Sequence, residues 1–328
     1  MKIYKNILDL VVQKGLLIES DKERTGTGTI SYRKGVHAHF EMDKHYPLVT
    51  TKTVNWRQVV AELLWFLRGD TNIKNLQNMG CHIWDPWKKL NSDDLGPVYG
   101  YQWRSWNGKV DQLKNALELL KESPFSRRAF VTAWNPEYLD TMALPPCHHS
   151  MQFLIEPDGE GNPSRLNLHY IMRSNDLFLG TPYNIASYGL LLILTTVHLK
   201  KYYPRLSSGT LSFYLGDAHI YQNHLDQVLT QLKRPERTPP EIKLSEKLSE
   251  LDLVNMKVKI EKESGVFVEE DLDLEHFGVW LNSKKTYRCF KKELGYKAQE
   301  SSASPYWRVM FTLSNYNPHK PLKGAVAV

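Results

Sequence analysis

Along MKIYKNILDLVVQKG the apolar residues fall at Tyr4, Leu8, Val11 and Val12. This is one face of a 3.6-residue period, so the pattern predicts a helix stopped by Gly15. The period then changes to two. Thr29 to Tyr32, a turn at RKG, and the alternation of Val36, Ala38, Phe40 and Met42 read as a β-hairpin. WRQVVAELLWFL, Trp56 to Leu67, predicts a buried helix ended by Gly69. A strand begins at Ala129, a second runs from Met151 to Glu156 into the loop PDGEGNP, and Leu166, Leu168, Tyr170 and Met172 alternate along a third. Asn184 to Tyr203 reads as a long apolar helix, and Leu211, Phe213 and Leu215 as another strand. Leu225, Val228, Leu229 and Leu232 give the face of a helix that stops near Pro235.

Strands and helices interleave irregularly, without the strict alternation of a doubly wound sheet. The expected fold class is therefore α+β: a single domain over 1–328, with one mixed, largely antiparallel sheet packed by helices. The stretch from Ser245 to Ser314 is richer in charge, and its pattern gives no clear elements.

Composition changes this picture little. The 41% hydrophobic and 24% charged fractions are those of an ordinary globular chain, which excludes a disordered or membrane-embedded one. The most apolar run, GLLLILTTVHL from Gly189, is too short to span a bilayer and contains His198. Asp9 and Gln13 sit inside what would have to be an apolar signal core, and three scattered cysteines suggest no disulfide framework. The expected compartment is the reducing cytoplasm. A net charge of +6 with no block of like charges suits small anions as well as nucleic acid, so no nucleic-acid partner is expected.

Candidate chemistry centres on ALPPCHHSMQF. Pro145 and Pro146 fix the backbone before Cys147, so one sulfur is presented stiffly. Adjacent His148 and His149 diverge and no CxxC or HxxxH completes a ligand set, so no metal is expected. A buried structural thiol is the bland reading; a nucleophile needs nearby cations to lower its pKa. Arg24, Arg127, Arg128 and Arg173, each beside Ser, Thr or Gly, could supply that charge and together suit a phosphate, although any one alone reads as a surface arginine. Glu62 has Gln58, Val59, Trp65 and Phe66 at helical spacing; desolvation would raise its pKa, whereas a helix-surface glutamate would simply reach outward. His219 and Tyr221 share one strand face and could bind a sugar hydroxyl, or merely end a strand.

Beyond spacing, the motifs RTGTGT, PLVTTK, ELLWFLRGDTN, HIWDPW, DLGPVYGYQWR, SRRAFVTAWNP, MALPPCH, RSNDLFLGTPYNIASYG, GDAHIYQNHLDQ and NPHKPLKGAVAV, in that order, resemble the thymidylate synthase family. The resemblance covers Met1 to about Leu244 and then the last dozen residues. It implies reductive methylation of dUMP by 5,10-methylenetetrahydrofolate, with Cys147 adding to C6 of the pyrimidine. It also implies a homodimer joined through a sheet face, with Arg127 and Arg128 reaching the neighbouring subunit's phosphate site beside Arg24, Arg173 and Ser174. Asn184 is implied to read the pyrimidine edge, Glu62, Tyr99 and His148 to handle protons, and His219 and Tyr221 to hold the ribose. Lys52, Ile83, Trp84, Asp176 and Val328 match positions that hold the folate or close over it, Asp176 also standing among the catalytic residues.

This sequence departs from the family pattern at Met172, where glutamine is common, at Asn175, and at Thr181 and Tyr183, where leucine and phenylalanine are common. The segment from about 245 to 314 is longer than usual and is expected to be a solvated insertion; SKKTYRCFKKELGYK within it could be a surface helix, a dimer-edge elaboration or a partner site. Met172 and Asn175 keep a dUMP hydroxymethylase, giving 5-hydroxymethyl-dUMP and tetrahydrofolate, as the alternative to the synthase, whereas Trp84 and the AVAV terminus favour the synthase. A catalytically idle binding module is the reading from a different class, opposed by the intact Cys147, Glu62, Asn184 and arginine set.

Overall fold

The long alternating stretches become long strands, and the two most apolar stretches become helices packed on them. A computed structural model describes residues 2–43, 45–262, 264–281, 286–289 and 309–327. In chain order, α1 (Lys2–Lys14) leads to β1 (Leu16–Ile18), β2 (Thr29–Tyr32) and β3 (Val36–Glu41), then α2 (Trp56–Leu67), α3 (Ile73–Asn78), α4 (Tyr99–Ser105) and α5 (Gln112–Glu122). Next come β4 (Phe130–Thr132), β5 (His148–Pro157), β6 (Pro163–Asp176), α6 (Gly180–Leu199), β7 (Ser207–Tyr221) and α7 (Leu225–Lys233). The chain continues through β8 (Glu241–Leu244), β9 (Leu248–Asp252), β10 (Lys257–Glu261), β11 (Phe267–Asp271), β12 (Phe277–Leu281), β13 (Thr286–Cys289) and β14 (Phe311–Tyr316).

The architecture is α+β, but among the described residues it holds three sheets where one was expected. A seven-stranded sheet in the order β1-β2-β7-β6-β5-β4, with β3 also on β7, stands beside β11-β10-β9 and β13-β12-β14-β8. In the large sheet β6 and β7 are parallel while β5 is antiparallel to β6. The expected hairpin of β2 and β3 does not form. Both strands pair with β7, β2 against Ala218–Tyr221 and β3 against Thr210–Leu215, so they lie end to end along one neighbour. The RKG turn carries the chain past Gly216 and Asp217 rather than reversing it. Asp217 is held there by the Ser31 hydroxyl, which donates to it at 2.6 Å. Alternation specifies the buried face of a strand but not its partner.

Helix α6 starts at Gly180 and ends at Leu199, four residues earlier at each end than the pattern suggested. It is buried on nearly every side, as a helix without a polar face must be. Tyr188 on α6 stacks on Tyr170 of β6, with ring centres 4.1 Å apart, which fixes that helix on one face of the large sheet. On α7 Val228 is buried, Leu232 packs against the core and Leu225 is half-buried as the spacing predicts, but Leu229 is exposed and Gln231 takes a buried place in its stead.

The segment after Ser245 is not solvated as expected. Leu251, Leu253, Val258, Ile260, Leu272 and Phe277 are buried in the common core. Arg104 donates to the Val254 carbonyl at 2.7 Å and Arg68 to that of Leu272 at 2.8 Å, so α4 and the end of α2 fasten the segment. Of SKKTYRCFKKELGYK, Thr286–Cys289 is the strand β13, and the remainder lies outside the described residues.

Strand direction gathers the chemistry at one end of the large sheet. The parallel strands β6 and β7 both finish there, and the antiparallel neighbours β5 and β2 both start there. Cys147 immediately precedes β5, Arg173 to Asp176 close β6, His219 and Tyr221 close β7, and Arg24 lies in the loop before β2. Helix α6 then departs from β6, bringing Asn184 on its second turn, while α2 packs on α6 and presents Glu62.

Candidate active site

The approach to Cys147 is rigid for two reasons. Its prolines restrict the backbone, and Arg173 binds their carbonyls, Nε to Pro146 at 2.9 Å and Nη2 to Pro145 at 3.0 Å. The Cys147 carbonyl accepts the Arg173 backbone N–H at 2.9 Å, and the Cys147 N–H donates to the Tyr99 hydroxyl at 2.8 Å. Burial pushes the thiol up; Arg173, a hydrogen bond from Tyr99 and Arg24 pull it back without prevailing, and Asp176 adds to the rise. Of the four arginines expected to supply charge to the sulfur, Arg173 and Arg24 act on it, and the thiolate is not preformed in the protein alone.

Arg127 and Arg128 are not part of this cluster. They precede β4, and Ala129 accepts from the Phe153 N–H, six residues along β5 from Cys147. At about 3.3 Å per strand residue that is roughly 20 Å, beyond the reach of an arginine side chain. Both are exposed.

Glu62 is not a surface glutamate. Its carboxylate accepts from Trp84 Nε1 at 2.7 Å, and burial raises its pKa to about 7, the Trp84 bond opposing the shift. It shares a narrow recess with His148, Asn184, Ser187 and Tyr188, walled by Phe66, Trp103 and Leu191. His148 stacks on Tyr99 at 3.9 Å between ring centres and pairs through Nδ1 with the Tyr188 hydroxyl at 2.8 Å. Burial lowers the His148 pKa to about 3, with His149 adding to the shift, so the ring is neutral near pH 7. His148 therefore belongs to the network as a hydrogen-bonding group, not as an imidazolium acid.

His219 is buried, 5.1 Å from the Tyr221 ring and edge-on to it, and its Nδ1 has no hydrogen-bond partner. Across the parallel pair Asp176 is in register with His219, and Ser174 with Asp217, two residues earlier. Asp176 uses Oδ1 to accept the N–H groups of Phe178 and Leu179 at 2.8 and 3.2 Å, which shapes the entry to α6. Among the positions matched to the folate, Trp84 touches Glu62, and Ile83 is half-buried beside it. Lys52 is buried near Asp176: its ammonium binds the Phe178 carbonyl and lies 3.8 Å from that ring's centre, and burial lowers its pKa to about 8 against the pull of Asp176. Val328 lies outside the described residues. No group of three or more potential metal ligands occurs among the described residues.

Sequence reasoning gave no role to several residues that organise the site. Tyr188 holds His148, and the Trp134 ring lies 5.4 Å from the Arg173 guanidinium. His224, Gln227 and Arg234 hold the final segment through the carbonyls of Ala325, Lys323 and Lys320. His224 and Gln227 stand within GDAHIYQNHLDQ, so that motif carried the signal, but only the fold brings it to the far end of the chain.

A family model described as thymidylate synthase matches residues 2–262, continuing past Ser245. A thymidylate synthase of Mycoplasma genitalium is 42% identical over 272 residues, 74% of this chain and 89% of the relative. The chain belongs to the thymidylate synthase family. Its activity is accordingly that of a methyltransferase, thymidylate synthase, and the hydroxymethylase alternative is not favoured.

Proposed function

We propose that this chain methylates dUMP with 5,10-methylenetetrahydrofolate as both carbon and hydride donor, through a covalent bond from Cys147 to C6 of the pyrimidine. The observation that carries the reading is the sulfur itself: Cys147 is fixed by Arg173 and Tyr99 one residue before His148, which lines the recess that holds Glu62, an acid of near-neutral pKa.

The thiol of Cys147 gives its proton to solvent, and addition of the sulfur across C5=C6 moves an electron pair toward C5 and O4, with Arg173, Arg24 and the Tyr99 hydroxyl favouring the thiolate. Glu62, poised near pH 7, exchanges a proton with O4 as that charge develops and decays. Asn184 reads the base by accepting from N3–H and donating to O4. C5 then bonds the donor's methylene carbon and loses its proton, and the folate amine departs, leaving an exocyclic methylene. Hydride from tetrahydrofolate reduces that carbon to methyl, and Cys147 is expelled as C5=C6 re-forms. The products are dTMP and dihydrofolate. Arg24, Arg173 and Ser174 take the phosphate, and buried His219, whose Nδ1 makes no hydrogen bond and lies 3.8 Å from Asp217 Oδ2, suits a ribose hydroxyl together with Tyr221. Trp84 and Ile83 line the folate side and Asp176 orients its pterin, while the strapped C-terminal segment covers the site and keeps water out.

The working form is a homodimer. The large sheet leaves Phe130, Ile171 and Tyr214 exposed on the face opposite α6, and Arg127 and Arg128 can serve a phosphate only on a second copy. The chain functions in the cytoplasm as one domain; the family match runs on to residue 262, so the family-atypical elaboration is the stretch after it, to about 314. No helix among the described residues is long and apolar enough to cross a membrane.

The test is intact mass after mixing protein, 5-fluoro-dUMP and methylenetetrahydrofolate. Fluorine replaces the proton that must leave C5, so the adduct stays on the protein. The expected result is a mass gain equal to nucleotide plus folate, mapped to the peptide containing Cys147; no gain, or a gain elsewhere, overturns the mechanism.

A further inference from the structure

Three of the four positions where the sequence departs from its family touch one another. Met172 and Asn175 are 2% and 1% exposed, and Thr181 is equally buried. Asn175 Nδ2 donates to the Met172 sulfur at 2.9 Å, while Asn175 Oδ1 accepts from the Thr181 hydroxyl. The same sulfur is the contact of Asn184 Nδ2, at 3.7 Å. Met172 thus sits between an asparagine of the core and the asparagine that faces the recess.

We infer that Met172 is a specificity-determining positioning residue, whose thioether fixes which way the Asn184 carboxamide is turned and so selects uracil over cytosine. The inference rests on the proposed role of Asn184 as base reader. A thioether sulfur accepts hydrogen bonds and cannot donate. The Asn184 atom facing it is therefore held as the NH2 group, which leaves Oδ1 to meet the base. Uracil offers N3–H and O4, a donor and an acceptor, and suits that orientation. Cytosine offers unprotonated N3 and an amino group, which require the amide turned over. A turned amide would set Oδ1 against the sulfur, acceptor against acceptor. The Thr181–Asn175 pair holds the sulfur from the other side, so Met172, Asn175 and Thr181 act as one device.

The test compares dUMP and dCMP as competing ligands, by dissociation constants and by turnover, in Met172→Leu, Met172→Gln, Asn184→Ala and the double variant Met172→Leu/Asn184→Ala. Melting temperatures check that each variant folds. Losing one weak hydrogen bond of this kind should lower the dUMP preference about fivefold in Met172→Leu. Met172→Gln, which restores an acceptor oxygen, should return it to within about twofold of the starting protein. In the Asn184→Ala background, Met172→Leu should change the preference no further. An unchanged preference in Met172→Leu, or an equal loss without Asn184, overturns the positioning role while leaving the base-reader role intact. If Asn184→Ala itself keeps the full dUMP preference, the base-reader reading fails and this inference fails with it.

Discussion

Arg173 Nε donates to the carbonyl of Pro146 at 2.9 Å, so the residue expected to grip the substrate phosphate also grips the backbone that presents Cys147, the proposed nucleophile. One guanidinium serves both ends because it has five donors in a planar fork, of which the prolines take two. Ligand binding and sulfur placement are thereby linked through a single side chain.

Replacing that fork with an ammonium separates the two roles. Arg173→Lys keeps the charge but cannot hold both proline carbonyls and a phosphate together. We expect about 1 kcal/mol lower stability, from the lost hydrogen bonds. The Cys147 thiol, already pushed up by burial, should rise further as its main cationic partner moves away. The check is the pH dependence of iodoacetamide alkylation at Cys147, whose midpoint should move to higher pH in the variant; an unmoved midpoint would mean the arginine does not act on the sulfur.

Glu62 makes stability depend on pH with a defined sign. Its folded pKa, about 7, lies above the ordinary value of 4.5, so the folded state holds the proton more tightly. The contribution is fully present below about pH 4.5 and is lost as pH rises through 7, amounting to about 3 kcal/mol by linkage. Glu62→Gln has no proton to lose. Melting curves from pH 4.5 to 8 should therefore show the variant gaining on the starting protein as pH rises, although it cannot turn over dUMP normally. Parallel curves would place the carboxylate in a more solvated setting.

His148 gives the opposite dependence. A histidine whose pKa is lowered to about 3 contributes stability that is present above the ordinary 6.5 and lost as pH falls toward 3. Nitrogen-15 spectra of the ring should show a neutral imidazole at pH 5, where exposed histidines are charged. A charged ring at that pH would return His148 to consideration as a proton donor.

The separation of Arg127 and Arg128 from Cys147 predicts complementation between subunits. In the proposed homodimer, Cys147→Ser and Arg127→Ala/Arg128→Ala should each be weak on their own. Unfolding them together and refolding the mixture should restore activity, because a mixed dimer carries one site with both an intact cysteine and intact arginines. Random pairing makes half the dimers mixed with one good site each, about a quarter of full activity for a closed two-fold assembly. No gain on mixing would mean the arginines serve their own subunit or none.

Element identity was legible from the sequence wherever apolar spacing ran long: α1 with its Gly15 stop, α2 ending before Gly69 at φ +70°, and strands β5 to β7. Pairing was not. The turn between β2 and β3 looks like a reversal until β7 is long enough to span both, a property of the distant partner rather than of the turn. The sheets after Ser245 were hidden because short strands with charged alternate residues, such as KVKIE in β10, look solvated until their Val258 and Ile260 find a core. At the site, residue type and spacing singled out Cys147, Glu62 and Arg173 as candidates, each beside a bland alternative, and the fold brings the three to the same end of the large sheet. The burial that sets Glu62 near 7 and His148 near 3, and the contact of Met172 with both asparagines, depend on packing that spacing along one chain does not encode.

Product analysis reaches the central claim most directly: purified protein, dUMP and methylenetetrahydrofolate, with nucleotide and folate products identified by mass in the starting protein and in Cys147→Ser. The prediction is equal amounts of dTMP and dihydrofolate from the former and neither from the latter. Hydroxymethyl-dUMP with tetrahydrofolate, unchanged dUMP, or turnover that survives the loss of the Cys147 thiol would contradict it.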